Sequence, residues 1–226
     1  MIFDIIRNGF TAANLVPLLA RVFVLFCVLP VHEFAHALVA YRLGDKTAKL
    51  AGRLTLNPLA HLDLFGTLMI LLVGFGYAKP VPVNPRSFKN QKGGMAVVAA
   101  AGPLSNLLMA VLYLLVWRLI AKFAPDQTVS LDNIWYLLYL FCYAVAQVNV
   151  MLAVFNLLPI PPLDGSRNWA LFLPDRAYYK LVEYERYIVI GVFALLLFGI
   201  LDIPLSWLTT KVMAGLVKLV TLPFGG

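Results

Sequence analysis

Two stretches of this chain, Gly93 to Trp117 and Asn133 to Leu163, contain no Asp, Glu, Lys or Arg. Each exceeds the roughly 20 residues that an α-helix needs to cross a bilayer. Runs of this kind come to rest in lipid, where backbone N–H and C=O groups must be satisfied within the protein. The expected fold is therefore an all-α polytopic membrane protein. Composition excludes the soluble alternative: 62% of the 226 residues are hydrophobic and 13% charged, against about half and a quarter in soluble domains. In so apolar a chain the net charge of +7 reports loop topology, and no nucleic-acid partner is expected. Cys27 and Cys142 both sit in apolar runs and read as small hydrophobes rather than a disulfide framework.

Two more spans are expected, Leu15 to Leu43, carrying Arg21, His32, Glu33 and His36, and Tyr187 to Leu208, with Asp202 and Pro204 near its far end. Leu64 to Ala78 and Leu208 to Phe224 are apolar but short, fit for short spans, re-entrant segments or interfacial helices. The expectation is about four to six transmembrane helices, a re-entrant segment, and short loop or β-strand insertions. All lie in a single membrane-embedded domain over 1–226, with its core at about 20–170 and C-terminal helices at about 187–226. The apolar run after Arg7 resembles a signal peptide, but Asp4 breaks the basic region and the chemistry lies inside the first long helix, so the N-terminus is expected to be retained.

That chemistry is His32-Glu33-Phe34-Ala35-His36, an H-E-x-x-H motif. At about 100° per residue the two imidazoles share a helical face and Glu33 adjoins them, as in zinc hydrolases. Ionisable groups near the middle of a membrane cost roughly 2.5–3.5 kcal/mol each on insertion scales, so three on one helix make poor filler. Catalytic zinc takes three protein ligands and a water. Two residues compete for the third place: His61, in Asn57-Pro58-Leu59-Ala60-His61, and Asp164, which follows Pro159-Ile160-Pro161-Pro162-Leu163 where prolines unwind a helix end.

Together with Ala101-Gly102-Pro103-Leu104-Ser105-Asn106 and the run from Asn156 to Asp164-Gly165, the motif resembles the site-2 protease family of intramembrane zinc metalloproteases. The segments Asn57 to His61 and Ala78 to Pro85 further resemble its small prokaryotic branch that has only the membrane domain. The resemblance covers about residues 20–170. It implies one zinc ion held by His32, His36 and Asp164, with Glu33 as general base. It also implies Asn156 on the substrate backbone or oxyanion, and leaves Asn57 and His61 as further substrate-binding candidates. The implied substrate is a transmembrane protein, cut in regulated intramembrane proteolysis or in clearance of membrane remnants. Gly102 and Pro103 read as a close helix approach or a kink. Buried His, Glu and Asp residues also mark ion paths, so a transporter or channel is the alternative, although no inverted repeat is evident.

For Asp164 to reach the histidines, their helix ends must share one side of the membrane, so Leu64 to Ala78 is expected not to cross fully. One face then collects twelve basic residues in the loops around Arg42–Arg53, Lys79–Lys92 and Arg167–Arg186, against Arg7, Arg118 and Lys122 on the other. The positive-inside rule puts the twelve in the cytoplasm, with the site opening towards it from the cell membrane. The broken segments 50–61 and 79–92, with alternating patches such as Lys49 to Leu56, are expected to pair with an extended substrate as an added strand.

Overall fold

The computed structural model describes residues 12–64, 66–68, 78–126, 128–130, 132–174, 176–177, 180 and 183–224. In chain order these form α1 (Ala12–Phe23), a π-helical turn (Val24–Val28), α2 (Leu29–Arg42), α3 (Thr47–Leu50), α4 (Pro58–His61), α5 (Gln91–Phe123), α6 (Ile134–Asn156), α7 (Asp164–Trp169), α8 (Glu185–Leu197) and α9 (Asp202–Thr221). Among the described residues, four stretches are long and apolar enough to cross a membrane: Leu15–Arg42, Gln91–Phe123, Ile134–Asn156 and Asp202–Thr221. The chain is a multi-pass membrane protein. No strand occurs among the described residues, so the insertions are helical turns and loops. Lys49–Leu56 in particular forms no strand, since α3 takes its first residues.

The first span is continuous but changes winding where proline intervenes. Pro30 has no N–H to return to the preceding turn, and just before it the Leu29 N–H bonds Val24 O, five residues back. This turn stands directly ahead of the histidines. Further on, the charge-free run continues to Leu163, but α6 stops at Asn156, because Pro159, Pro161 and Pro162 cannot extend it.

The expected fourth span, Tyr187 to Leu208, is corrected. α8 is 13 residues long, too short to cross alone, and ends in a Schellman turn. Gly199 takes φ +68, its N–H bonds Leu196 O at 3.1 Å and the Ile200 N–H bonds Leu195 O at 3.0 Å. A new helix, α9, begins at Asp202 with Pro204 in its first turn, where the missing N–H costs nothing. The crossing helix is thus α9, which the sequence reading had placed partly in the fourth span and partly in a short C-terminal segment.

α5 is central to the packing. Its Ala110 and Leu114 meet Ala146, Val150 and Val154 of α6 and Met213 and Val220 of α9. Ala20, Val24 and Val28 of the first span pack on Val145 of α6. Small side chains at these seams let backbones approach where lipid offers no hydrophobic drive for association.

The chain between α2 and α5 begins and ends at one end of the bundle. The Lys79 N–H bonds His61 O at 2.8 Å, so the stretch from 62 to 78 leaves and returns at one place. The expected re-entrant path itself falls mainly on 69–77, which lie outside the described residues. Asp45 ties the return. Its carboxylate accepts from Thr47 N–H at 3.0 Å and Thr47 Oγ1, from Asn84 N–H at 2.7 Å, and from Ser87 Oγ at 3.5 Å. Burial pushes this carboxyl up, but the bonds from Thr47, Asn84 and Ser87 outweigh it and hold it below the ordinary value. A depressed native pKa gives stability that is present above the unfolded value of about 3.9 and is lost as pH falls through the native one. Asp45→Ala is therefore expected to cost about 1–3 kcal/mol at neutral pH and to loosen the 79–90 loop. Thermal unfolding from neutral pH to about pH 3 should show the wild type converging on the variant as the carboxylate protonates.

Candidate metal centre and its surroundings

Three elements converge on one point. α2 presents His32 and His36 one turn apart, both buried, with Glu33 buried beside them. The turn after α6 brings back Asp164, the first residue of α7. Asp164 Oδ2 lies 3.3 Å from His32 Nε2 and 3.3 Å from His36 Nε2, and the two Nε2 atoms are 3.1 Å apart. Of the two candidates for the third ligand position, Asp164 is the one that joins the histidines in a group that could hold a metal ion.

The distances fit zinc. A tetrahedral ion with ligands at about 2.0–2.1 Å holds those ligands about 3.3–3.4 Å from one another. The donor chemistry agrees. The His36 Nδ1–H donates to Val98 O of α5 at 2.7 Å, so its Nε2 carries a lone pair and faces the cluster. Asp164 Oδ2 is buried without a hydrogen-bond partner, as a carboxylate oxygen reserved for a cation would be. Two imidazole nitrogens and a carboxylate oxygen turned inward repel one another unless a positive charge sits between them.

α5 closes the fourth side with no side chain at all. A Cβ on Gly102 would lie 2.5 Å from His32 Cε1 and Nε2 and would overlap His36 Nε2. Glycine here lets the backbone lie against the imidazoles, which bears out the expected close helix approach and identifies its partner. Gly165 has a similar role after Asp164, where a Cβ would run into the Leu157 and Leu158 carbonyls.

The other predicted residues make local hydrogen bonds of their own. Asn57 is exposed and caps α4, accepting from Leu59 N–H at 3.1 Å. His61 is fully buried, and its Nε2–H donates to Thr55 O at 2.8 Å. Arg53 adds bonds to Ala60 O and Lys79 O, so this region is braced around His61. Asn156, at the end of α6, donates from Nδ2 to Leu152 O at 3.0 Å. None of these three belongs to the metal-binding group. Sequence reasoning did not find the Val98 carbonyl, because a backbone acceptor leaves no mark in side-chain identity.

Comparison with known proteins gives a concordant picture. The model of peptidase family M50 matches residues 20–200. YwhC of Bacillus subtilis (strain 168) is 45% identical over 166 residues, covering 69% of this chain and 70% of YwhC. Rip2 of Mycolicibacterium smegmatis is 37% identical over 142 residues, covering 61% of this chain but only 51% of Rip2. MJ0611 of Methanocaldococcus jannaschii is 32% identical over 94 residues, covering 41% of this chain and 43% of MJ0611. All three relatives bear zinc-metalloprotease names. No solved structure matches the chain.

Proposed function

The chain belongs to peptidase family M50, the site-2 protease family, and is a hydrolase; from that premise we propose that it is an intramembrane zinc endopeptidase that cuts transmembrane segments of other proteins. The carrying observation is that His32, His36 and Asp164 each bring one ligand atom within 4.8 Å of the others, in a group that could hold one ion, with both histidines in the C-terminal half of a helix long and apolar enough to cross a membrane. We assign these three residues as the zinc ligands, Glu33 as the general base, and the whole to one membrane-embedded domain with its core at about 20–170.

Zinc held by His32, His36 and Asp164 would supply Lewis acidity to the site. Glu33 would take a proton from an attacking water as the water oxygen bonds to the scissile carbonyl carbon. It then returns the proton to the departing amide nitrogen as the C–N bond breaks. His36, oriented by Val98 O, and Asp164 keep the site's geometry through both steps. Gly102 keeps the space beside them clear.

A substrate helix hides its carbonyls in its own hydrogen bonds, so it must be unwound locally before attack. Asn156, Asn57 and His61 remain the proposed substrate contacts. Asn156 stands nearest in sequence to the site, eight residues before Asp164. The excess of basic residues in the loops at the site's end of the bundle supports a cytoplasmic position for that end; an impermeant thiol reagent should label a cysteine introduced at position 90 from the cytoplasmic face only.

The direct test is metal removal. In detergent, purified protein is expected to cleave a single-span model substrate, to lose this activity when dialysed against a chelator, and to regain it with about one equivalent of zinc. Cleavage that persists through chelation would sink the proposal.

A further inference from the structure

The two histidines differ in what their second ring nitrogen finds. The His36 Nδ1–H has Val98 O, whereas His32 Nδ1 is buried with no partner. Ligating imidazoles almost always give this second N–H to an acceptor, which fixes tautomer and ring orientation. The missing partner is therefore a question about the surroundings of His32.

Asn106 lies one turn beyond Gly102 on α5 and is only 1% exposed, and neither Oδ1 nor Nδ2 is bonded. On α6, Asn149 is fully buried; its Nδ2 donates to Val145 O at 2.9 Å, while its Oδ1 is unbonded. Helix register brings these atoms to the level of His32. α5 runs antiparallel to α2, since Val98 sits beside His36 and Gly102 beside both His36 and His32. The next turn of α5 on Gly102's face is Asn106, on the His32 side. Val145 of α6 packs in one cluster with Val24, Val28 and Met109, and Asn149 is one turn nearer the site.

Native interiors leave few polar atoms unbonded, and those that remain mark bound water or ions. Here four such atoms stand on His32, Asn106 and Asn149, which helix register sets at one level on three helices. We propose that Asn106 is the positioning residue for His32. Its Oδ1, together with Asn149 Oδ1, holds one buried water that accepts the His32 Nδ1–H. The water then has three polar partners, within the usual range, and the His32 Nε2 lone pair is aimed at the ion as Val98 O aims that of His36. The proposal rests on the zinc reading of the cluster.

The test measures zinc affinity by competition with a chromophoric chelator, and the ligand-field spectrum of the cobalt-substituted protein, for wild type, Asn106→Leu and Asn106→Asp. Circular dichroism and size exclusion of the metal-free forms report folding. Asn106→Leu is expected to stay folded, to bind zinc about 10–100-fold more weakly and to shift the cobalt spectrum. Asn106→Asp, which keeps an acceptor oxygen at the same place, should stay within a few-fold of wild type. If the leucine variant does not fold, Asn106→Ala carries the same expectation. Unchanged zinc affinity and spectrum in the leucine or alanine variant would overturn the proposal and leave Asn106 a packing residue, as would equal losses in the leucine and aspartate variants. A wild type that binds no zinc would instead overturn the underlying zinc reading.

Discussion

Glu33→Gln is expected to retain zinc at wild-type stoichiometry while cleavage of a transmembrane substrate falls by about 10²–10⁴-fold, the usual worth of a positioned general base. Glutamine preserves the size and most of the polarity of this buried side chain, so helix α2 and its two imidazoles stay in place. What it lacks is a carboxylate able to take a proton. Zinc analysis beside single-turnover cleavage separates the two functions of the motif. Parallel loss of zinc and activity would mean that Glu33 supports the metal and not the proton transfer, whereas full activity would remove it from the chemistry.

Gly102→Ala is expected to empty the site without unfolding the chain. Alanine is the better helix former by about 1 kcal/mol, so α5 tolerates it, and its backbone needs no unusual φ. The new methyl would nevertheless occupy the space of the facing imidazole nitrogens, 2.5 Å from His32 Nε2. Overpacking of this kind costs about 1–3 kcal/mol where neighbours can shift. Here His36 is held by Val98 O and both imidazoles are buried, so the cost falls on ligand geometry, as at least about a tenfold loss of zinc affinity. Chelator competition measures it, with thermal unfolding of the metal-free protein as the control. Wild-type zinc affinity in Gly102→Ala would show that the helices part easily, and that the close approach does not define the site.

The candidate metal centre was legible in the sequence because its parts are local patterns. His32 and His36 declare themselves by spacing within one helix, and a carboxylate directly after a run of prolines marks a helix end turned back into the protein. Choosing Asp164 over His61 took either the family resemblance or coordinates, since both residues stand in broken segments of similar composition. The long-range partners were less accessible. Val98 acts through its carbonyl, and Asn106 and Asn149 look like ordinary interhelical polar residues until their unbonded atoms are placed level with His32.

Helix boundaries show a different limit. Hydropathy stays high from Ile188 to Leu208, so it carries no sign of the break at Phe198–Leu201. The information resides in two residues whose meaning depends on position. Gly199 ends a helix when its φ is positive, and Pro204 starts one when it lies in the first turn. Placing Asp202 and Pro204 near the far end of a span from Tyr187, rather than at the start of a helix, moved the start of the last crossing helix by about four turns. Of the expected loop or β-strand insertions, the described residues show loops and helical turns for a related reason, since the alternation over Lys49–Leu56 is too short to outweigh the turn that the Asp45 carboxylate holds through Thr47.

The central claim, that His32, His36 and Asp164 together hold one zinc ion, is tested most directly by zinc X-ray absorption on the purified wild-type protein in detergent. The predicted spectrum shows about one zinc per chain with two imidazole nitrogens and a carboxylate oxygen at about 2.0–2.2 Å and no sulfur. Absence of stoichiometric zinc, or a first shell that contains sulfur or only one imidazole, would contradict it.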